Sequence, residues 1–164
     1  MPLPHAPTLA AMEKSLGVIL AQLAMAVAVG MLTAFQPGVN RKFGEVSGAP
    51  LHGGVISFAV GLATVLLVAV ILRASPPPIS RVALGPVWMW VGGVIGAVFV
   101  TAAIYLSKPM GQGNYMAAMI AGQLVAGVVI DHFGFMGYDR HPFSVARAGG
   151  LVLIGLGVAL LRLK

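Results

Sequence analysis

The sequence predicts an all-α integral membrane protein with five transmembrane helices, paired as an antiparallel (inverted) homodimer of ten helices. First, 59% of the 164 residues are hydrophobic and only 9% are charged, whereas about a quarter of the residues of a soluble domain are charged. Second, the chain contains charge-free runs of roughly bilayer length. Third, Lys and Arg divide equally between the two predicted membrane sides, so the bias that orients most multi-span proteins is missing.

The equal division follows from the order of the predicted spans. The side that carries the N-terminus receives Lys14, Arg73, Arg81, Arg140 and Arg147. The opposite side receives Arg41, Lys42, Lys108, Arg162 and Lys164. A chain that inserts both ways up can pair with an inverted copy of itself, and inverted halves around a midplane site are a common transporter architecture.

The first span is predicted at residues 16–36, after a flexible tail at 1–15. Its apolar run is longer than the hydrophobic region of a signal peptide, so we interpret it as a retained helix. Pro37 and Gly38 weaken the helix, and a polar loop is predicted at 40–50.

The second span is predicted at 51–72 and the third at 86–106. The linker between them contains three consecutive prolines at 76–78, which favour a stiff, extended chain. Pro86 suits the first turn of a helix, and the nearby tryptophans suit the headgroup region.

The fourth span is predicted at 114–135 and the fifth at 143–163, after a tight loop at 107–113 and a longer loop around Tyr138–Pro142. The uncharged centre of the fifth span is short, and its terminal arginines extend it by reaching towards the headgroups. The five spans form one transmembrane domain over 16–164.

Polar side chains in lipid are costly, so their positions indicate where a cavity lies. In the first four spans, polar and small residues recur on one face at helical spacing. The sequence predicts that this face lines a central cavity, and the candidate substrate-binding residues are Gln36, Asn40, Ser57, Tyr105 and Gln123. The alternative is that these groups hydrogen-bond one another between helices.

Asp131 is the only carboxylate inside a predicted span. Membrane-embedded carboxylates commonly relay protons or bind cations, so Asp131 is the candidate for proton or cation coupling. The alternative is that Asp131 lies at headgroup level and pairs with Arg140 or Arg147.

Small residues let transmembrane helices approach closely. Gly92 and Gly96 form a GxxxG pair, for which packing within the chain is favoured. Gly150 and Gly157 lie seven apart on one face of the fifth span, and a role between subunits is favoured for them.

The chain shows no signature of an enzyme, of a phosphate-binding loop or of a clustered metal site. No catalytic residue, cofactor or metal is therefore predicted. The net charge of +6 comes from basic residues dispersed at helix ends and in loops, which indicates contact with lipid headgroups rather than nucleic acid.

Four stretches carry a family resemblance. The run Gly30-Met-Leu-Thr-Ala-Phe-Gln-Pro-Gly-Val-Asn40 and the pieces Gly122-Gln-Leu and Ile130-Asp-His-Phe-Gly134 resemble the YdcZ (DUF606) family of bacterial inner-membrane proteins. The run Arg147–Val158 resembles the fifth helix of that family. The resemblance implies membership of the drug/metabolite transporter superfamily, location in the bacterial inner membrane, and single chains that insert in both orientations.

The predicted function is secondary transport of a small polar or cationic solute by alternating access, with possible proton coupling. The expected partners are the lipid bilayer, the small-molecule substrate, and either a second copy of the chain or an oppositely oriented paralogue. The alternative function is a non-transporting membrane subunit that packs against a partner protein and stabilises it. The first span lacks the central acidic residue of the related small multidrug resistance transporters, so the resemblance does not imply their cation/proton exchange.

Overall fold

The computed structural model describes the backbone of residues 9–163 and the side chains of residues 15–163. The helices are α1 (Leu9–Ser47), α2 (Pro50–Ile71), α3 (Ile79–Ala83), α4 (Val91–Met110), α5 (Gln112–Phe133) and α6 (Val145–Arg162), with 3₁₀ turns at Val87–Trp90 and Phe135–Gly137. Within these residues the fold is entirely helical. Five helices are long and apolar enough to cross a membrane, which confirms the predicted all-α class and the five spans.

The chain divides into two compact units, residues 1–36 and residues 37–164. The described part of the first unit belongs to α1, and its side chains are almost all exposed. Thr33 donates a hydrogen bond from Oγ1 to the carbonyl oxygen of Val29, 2.6 Å away. The helix therefore satisfies this hydroxyl itself, as Thr often does one turn back along a helix. Residues 9–15 are helical and belong to α1, so the predicted tail does not extend over them, and residues 1–8 lie outside the described residues.

Helix α1 continues through Pro37 to Ser47, so the prediction of a polar loop at 40–50 is wrong over its first eight positions. Two charge pairs stabilise the last turns: Arg41 Nε lies 3.6 Å from Glu45 Oε1, and Lys42 Nζ lies 3.2 Å from Glu45 Oε2. Gly48 then ends the helix at a φ of 87°, a conformation that glycine adopts without steric cost.

Helix α4 also extends beyond its predicted end. It runs to Met110, and only Gly111, at a φ of 80°, separates it from α5. The predicted loop at 107–113 is therefore wrong except at this residue. The linker before α4 is not simply extended either, because Ile79–Ala83 forms a helical turn. At its other end α5 stops at Gly134, whose φ of 67° is left-handed.

In the unit of residues 37–164, α4 packs between α2 and α5, and α5 packs against α6. We call the end that holds the α1–α2 and α4–α5 turns (48–49 and 111) the turn end. We call the opposite end, with the linker 72–90 and the loop 134–144, the loop end. The buried apolar side chains lie towards the turn end, at Val100, Ala103, Ile104 and Tyr115.

The basic residues within the described part of this unit, residues 37–163, follow the predicted division. Four lie at the turn end and four at the loop end. The turn-end set is Arg41, Lys42, Lys108 and Arg162, and the loop-end set is Arg73, Arg81, Arg140 and Arg147. Among these residues the two ends therefore carry equal positive charge.

Candidate functional site

Close backbone approach holds the turn end together. A Cβ added to Gly53 of α2 would overlap the backbone carbonyl oxygen of Asn40 in α1. A Cβ added to Gly44 would lie 2.9 Å from the Cα of Pro50. Glycine is required at both positions because any side chain would push two backbones apart. On its other side α2 meets α4, where Gly54 faces the Ile104 side chain.

Two polar side chains that are buried at the turn end each hold one atom without a hydrogen-bond partner among the described residues. Asn40 is 1% exposed and Ser107 is 2% exposed. Within the described side chains, neither Asn40 Nδ2 nor Ser107 Oγ has a hydrogen-bond partner. Because most buried polar atoms in proteins are paired, these two donors mark the turn end as more than a packing contact. Ser107 falls in the loop that the sequence predicted at 107–113, and it was not predicted as a site residue.

A cavity of about 420 Å³ opens at the turn end. Its walls come from the last turns of α1, the α1–α2 turn and the last turns of α4. The lining residues are Arg41, Gly44, Glu45, Gly48, Ala49, Pro50, Ile104, Tyr105, Lys108 and Pro109. Of the predicted substrate-binding residues, Tyr105 lines this cavity. Asn40 does not line it, but it immediately precedes the lining residue Arg41 in the sequence. The cationic residues were not predicted as site residues, because basic residues at span ends ordinarily contact headgroups.

Gln123 lies elsewhere, at the middle of α5. The helix has 22 residues, about 33 Å at 1.5 Å per residue, which matches the hydrocarbon thickness of a bilayer. A helix of this length that crosses a bilayer has its midpoint near the membrane midplane. Gln123 is exposed there, and no hydrogen bond to its side chain occurs within residues 15–163.

The remaining predicted binding residues are less exposed. Ser57 of α2 is half-buried and lies one turn beyond Gly53. Gln36 is half-buried and belongs to the unit of residues 1–36. Thr64 donates from Oγ1 to the carbonyl oxygen of Val60 at 2.8 Å, so this polar residue of α2 is satisfied within its own helix rather than between helices.

Asp131 lies at the loop end, and Arg147 of α6 pairs with it. Arg147 Nη1 lies 3.1 Å from Asp131 Oδ2, and the two side chains are 32% and 34% exposed. This is one of the two pairings that the sequence left open. Asp131 lies about 28 Å along α5 from the turn-end start of that helix, at 1.5 Å per residue, so the structure does not bring it to the turn-end cavity.

Hydrogen bonds tie the loop 134–144 to the end of α5. The backbone N–H of His141 donates to the Asp131 carbonyl oxygen at 2.8 Å. Arg140 Nε donates to the His132 carbonyl oxygen at 3.1 Å. The N–H of Phe143 donates to His132 Nδ1 at 3.0 Å, so that nitrogen carries the lone pair.

The predicted packing glycines behave differently from one another. A Cβ on Gly96 would meet the Phe58 ring at 3.8 Å, whereas one on Gly92 would meet nothing within 4 Å. Gly150 and Gly157 of α6 also face open space. Among residues 15–163 no group of His, Cys, Asp and Glu is arranged to hold a metal ion.

The comparisons with known proteins agree with this architecture. The family described as "Putative inner membrane exporter, YdcZ" matches residues 6–160. No curated protein and no solved structure matches the chain. Because the match covers nearly the whole sequence and five helices are long and apolar enough to cross a membrane, the chain is a multi-pass inner-membrane protein that belongs to the YdcZ family.

Proposed function

We propose that this chain is one half of a secondary transporter, which exports a small polar or cationic solute by alternating access. In this proposal two copies of opposite orientation surround a shared site near the membrane midplane. The chain then acts as a carrier and not as an enzyme.

The observation that carries the proposal is Gln123. Its amide lies at the midpoint of a helix of bilayer length and is exposed on the single chain. A polar side chain at that depth is disfavoured against lipid, so it belongs in a water-filled cavity or against another protein surface. An inverted second copy would supply both, since midplane sites at the interface of inverted repeats are typical of secondary transporters.

The glycine face of helix α6 is further support for a partner chain in this proposal. Gly150 and Gly157 lie on one face, and a Cβ at either would meet no atom within 4 Å. Such faces permit close helix contact in membranes. The equal number of cations at the two ends of residues 37–163 supports insertion in both orientations.

The midplane site can be tested without knowing the solute, because the chain has no cysteine. We expect the thiol of a Gln123→Cys variant to react with a charged methanethiosulfonate reagent in membranes. The matched control is Val125→Cys, which lies at the same depth but about 200° around the helix. If the thiol of Gln123→Cys is as unreactive as that of Val125→Cys, the midplane is dry and the proposal is wrong.

Transport itself is tested in liposomes that contain only the purified chain. Radiolabelled choline and tetraphenylphosphonium represent a polar and a lipophilic cation. We expect flux of at least one of them above empty liposomes, and about a tenfold loss in Gln123→Ala, the fold-change of a lost hydrogen bond of about 1.4 kcal/mol. Flux at the level of empty liposomes would contradict export of such cations and favour the alternative, a subunit that stabilises a partner.

A further inference from the structure

We propose that the turn-end cavity is a binding site for a phosphate group, held between Arg41 of α1 and Lys108 of α4. Such a site does not depend on transport. It lies at a different place from the midplane, because Gln123 is about 16 Å along α5 from the turn end at 1.5 Å per residue. The transport proposal assigns no role to its two cations, Arg41 and Lys108.

The cavity carries an excess of positive charge. It is lined by two cations and one carboxylate, and the carboxylate is shared. Glu45 makes its closer contact with Lys42, at 3.2 Å, and lies 3.6 Å from Arg41. No ion pair to Lys108 occurs among residues 15–163. The wall therefore offers a guanidinium that can contact two phosphate oxygens and an ammonium that needs a counter-charge.

The residue that precedes each cation in the sequence is buried next to the cavity wall, although neither of the two lines the cavity. Asn40 immediately precedes Arg41, and Ser107 immediately precedes Lys108. Both are more than nine-tenths buried, and both hold a polar atom without a partner in the described structure.

The position and lining of the cavity also favour phosphate. The cavity lies at the ends of the spans, level with the lipid headgroups, where basic pockets between transmembrane helices bind lipid phosphates. Ile104, Ala49 and Pro50 supply apolar wall beside the charges. A volume of about 420 Å³ falls within the usual range for small-molecule sites.

A phosphate group can come from two sources, a phospholipid headgroup or a soluble phosphate. Both are tested on the purified full-length chain in detergent, after removal of bound lipid. Native mass spectrometry compares retention of phosphatidylglycerol with retention of diacylglycerol, which has no phosphate. Thermal unfolding, followed by tryptophan fluorescence, compares sodium phosphate with sodium chloride at equal ionic strength.

The variants are Arg41→Gln and Lys108→Gln, with Arg162→Gln as the matched control. Arg162 carries the same charge and lies at the turn end, but it is exposed, does not line this cavity and makes no ion pair among residues 15–163. We expect each cavity variant to weaken phosphate binding at least fivefold, while Arg162→Gln leaves it within twofold. Unfolding in chloride alone checks that each variant is folded.

Retention of phosphatidylglycerol alone supports a lipid site, and stabilisation by inorganic phosphate alone supports a site for a soluble ligand. The proposal is overturned if the wild-type chain prefers neither phosphate source over its control. It is equally overturned if Arg162→Gln weakens binding as much as Lys108→Gln, because binding would then reflect the overall positive charge of the turn end and not this cavity. Neither result alters the thiol labelling of Gln123→Cys, so the two proposals fail independently.

Discussion

The two ends of residues 37–163 are stabilised by different kinds of interaction. At the turn end, glycines let backbones touch, and the polar groups of Asn40 and Ser107 are buried without partners. At the loop end, an ion pair and several hydrogen bonds join half-buried and exposed groups. A close backbone contact cannot accommodate an added atom, whereas a hydrogen bond at a hydrated surface can be replaced by one to water. Substitutions at the turn end should therefore cost more.

The largest effect is expected for Gly53→Ala. The added methyl would overlap the Asn40 carbonyl oxygen, so α1 and α2 would have to separate. We expect a loss of about 3 kcal/mol of stability, at the upper end of the usual cost of overpacking, measured as thermal unfolding in detergent.

The control for that substitution is Gly61→Ala in the same helix, where an added Cβ meets no atom within 4 Å. It should leave stability unchanged or raise it slightly, because alanine favours helix. Equal losses in the two variants would contradict the assigned role of close backbone approach at Gly53.

A smaller loss is expected for Asp131→Asn. The carboxylate pairs with Arg147 and both side chains are about one-third exposed, so the cost should lie between those of surface and buried pairs, about 1–2 kcal/mol. A double-mutant cycle with Arg147→Gln measures the coupling. Asp139→Asn, an exposed carboxylate without an ion pair in residues 15–163, is the control. Additive losses in the cycle would mean that the pair contributes nothing.

The same variant tests the predicted coupling role of Asp131. If the carboxylate relays a proton, Asp131→Asn should remove the pH dependence of flux in liposomes. Asp139→Asn should keep that dependence. An unchanged pH profile in Asp131→Asn would mean that Asp131 has only a structural role, through its contact with Arg147.

The smallest effect is expected for His132→Phe, about 1 kcal/mol for one lost hydrogen bond. The Phe143 N–H would lose its acceptor, His132 Nδ1. His132→Asn should restore most of the stability, because an amide oxygen can accept the same bond. Hydrogen exchange at Phe143 measures the effect directly, and protection that is equal in the two variants would contradict the assigned bond.

Much of the fold could be predicted from the sequence because apolar length alone identifies spans in a bilayer. Helix ends were less predictable. Pro37 was expected to weaken α1, but local charge pairs and Gly48 place the end ten residues later. The pairing of Asp131 with Arg147 was foreseeable from their charges and their shared side of the membrane.

The turn-end cavity was not predictable from the sequence. Arg41 and Lys108 are far apart in the chain and resemble ordinary headgroup contacts. Only the packing of α2 between the end of α1 and α4 shows that they line one cavity. Ser107 was not recognised as a buried polar residue because the sequence placed it in a loop. Its burial depends on the extra turn of α4.

Insertion in both orientations, which allows the chain to function as an inverted pair, is the central claim. Single cysteines at Ser47, at the turn end, and at Ser75, in the loop-end linker, are labelled in intact cells with a membrane-impermeant thiol reagent and again after lysis. Both positions are exposed. We expect about half of each cysteine to react from outside, as equal charge on the two sides predicts. Near-complete labelling at one position and none at the other would contradict the claim.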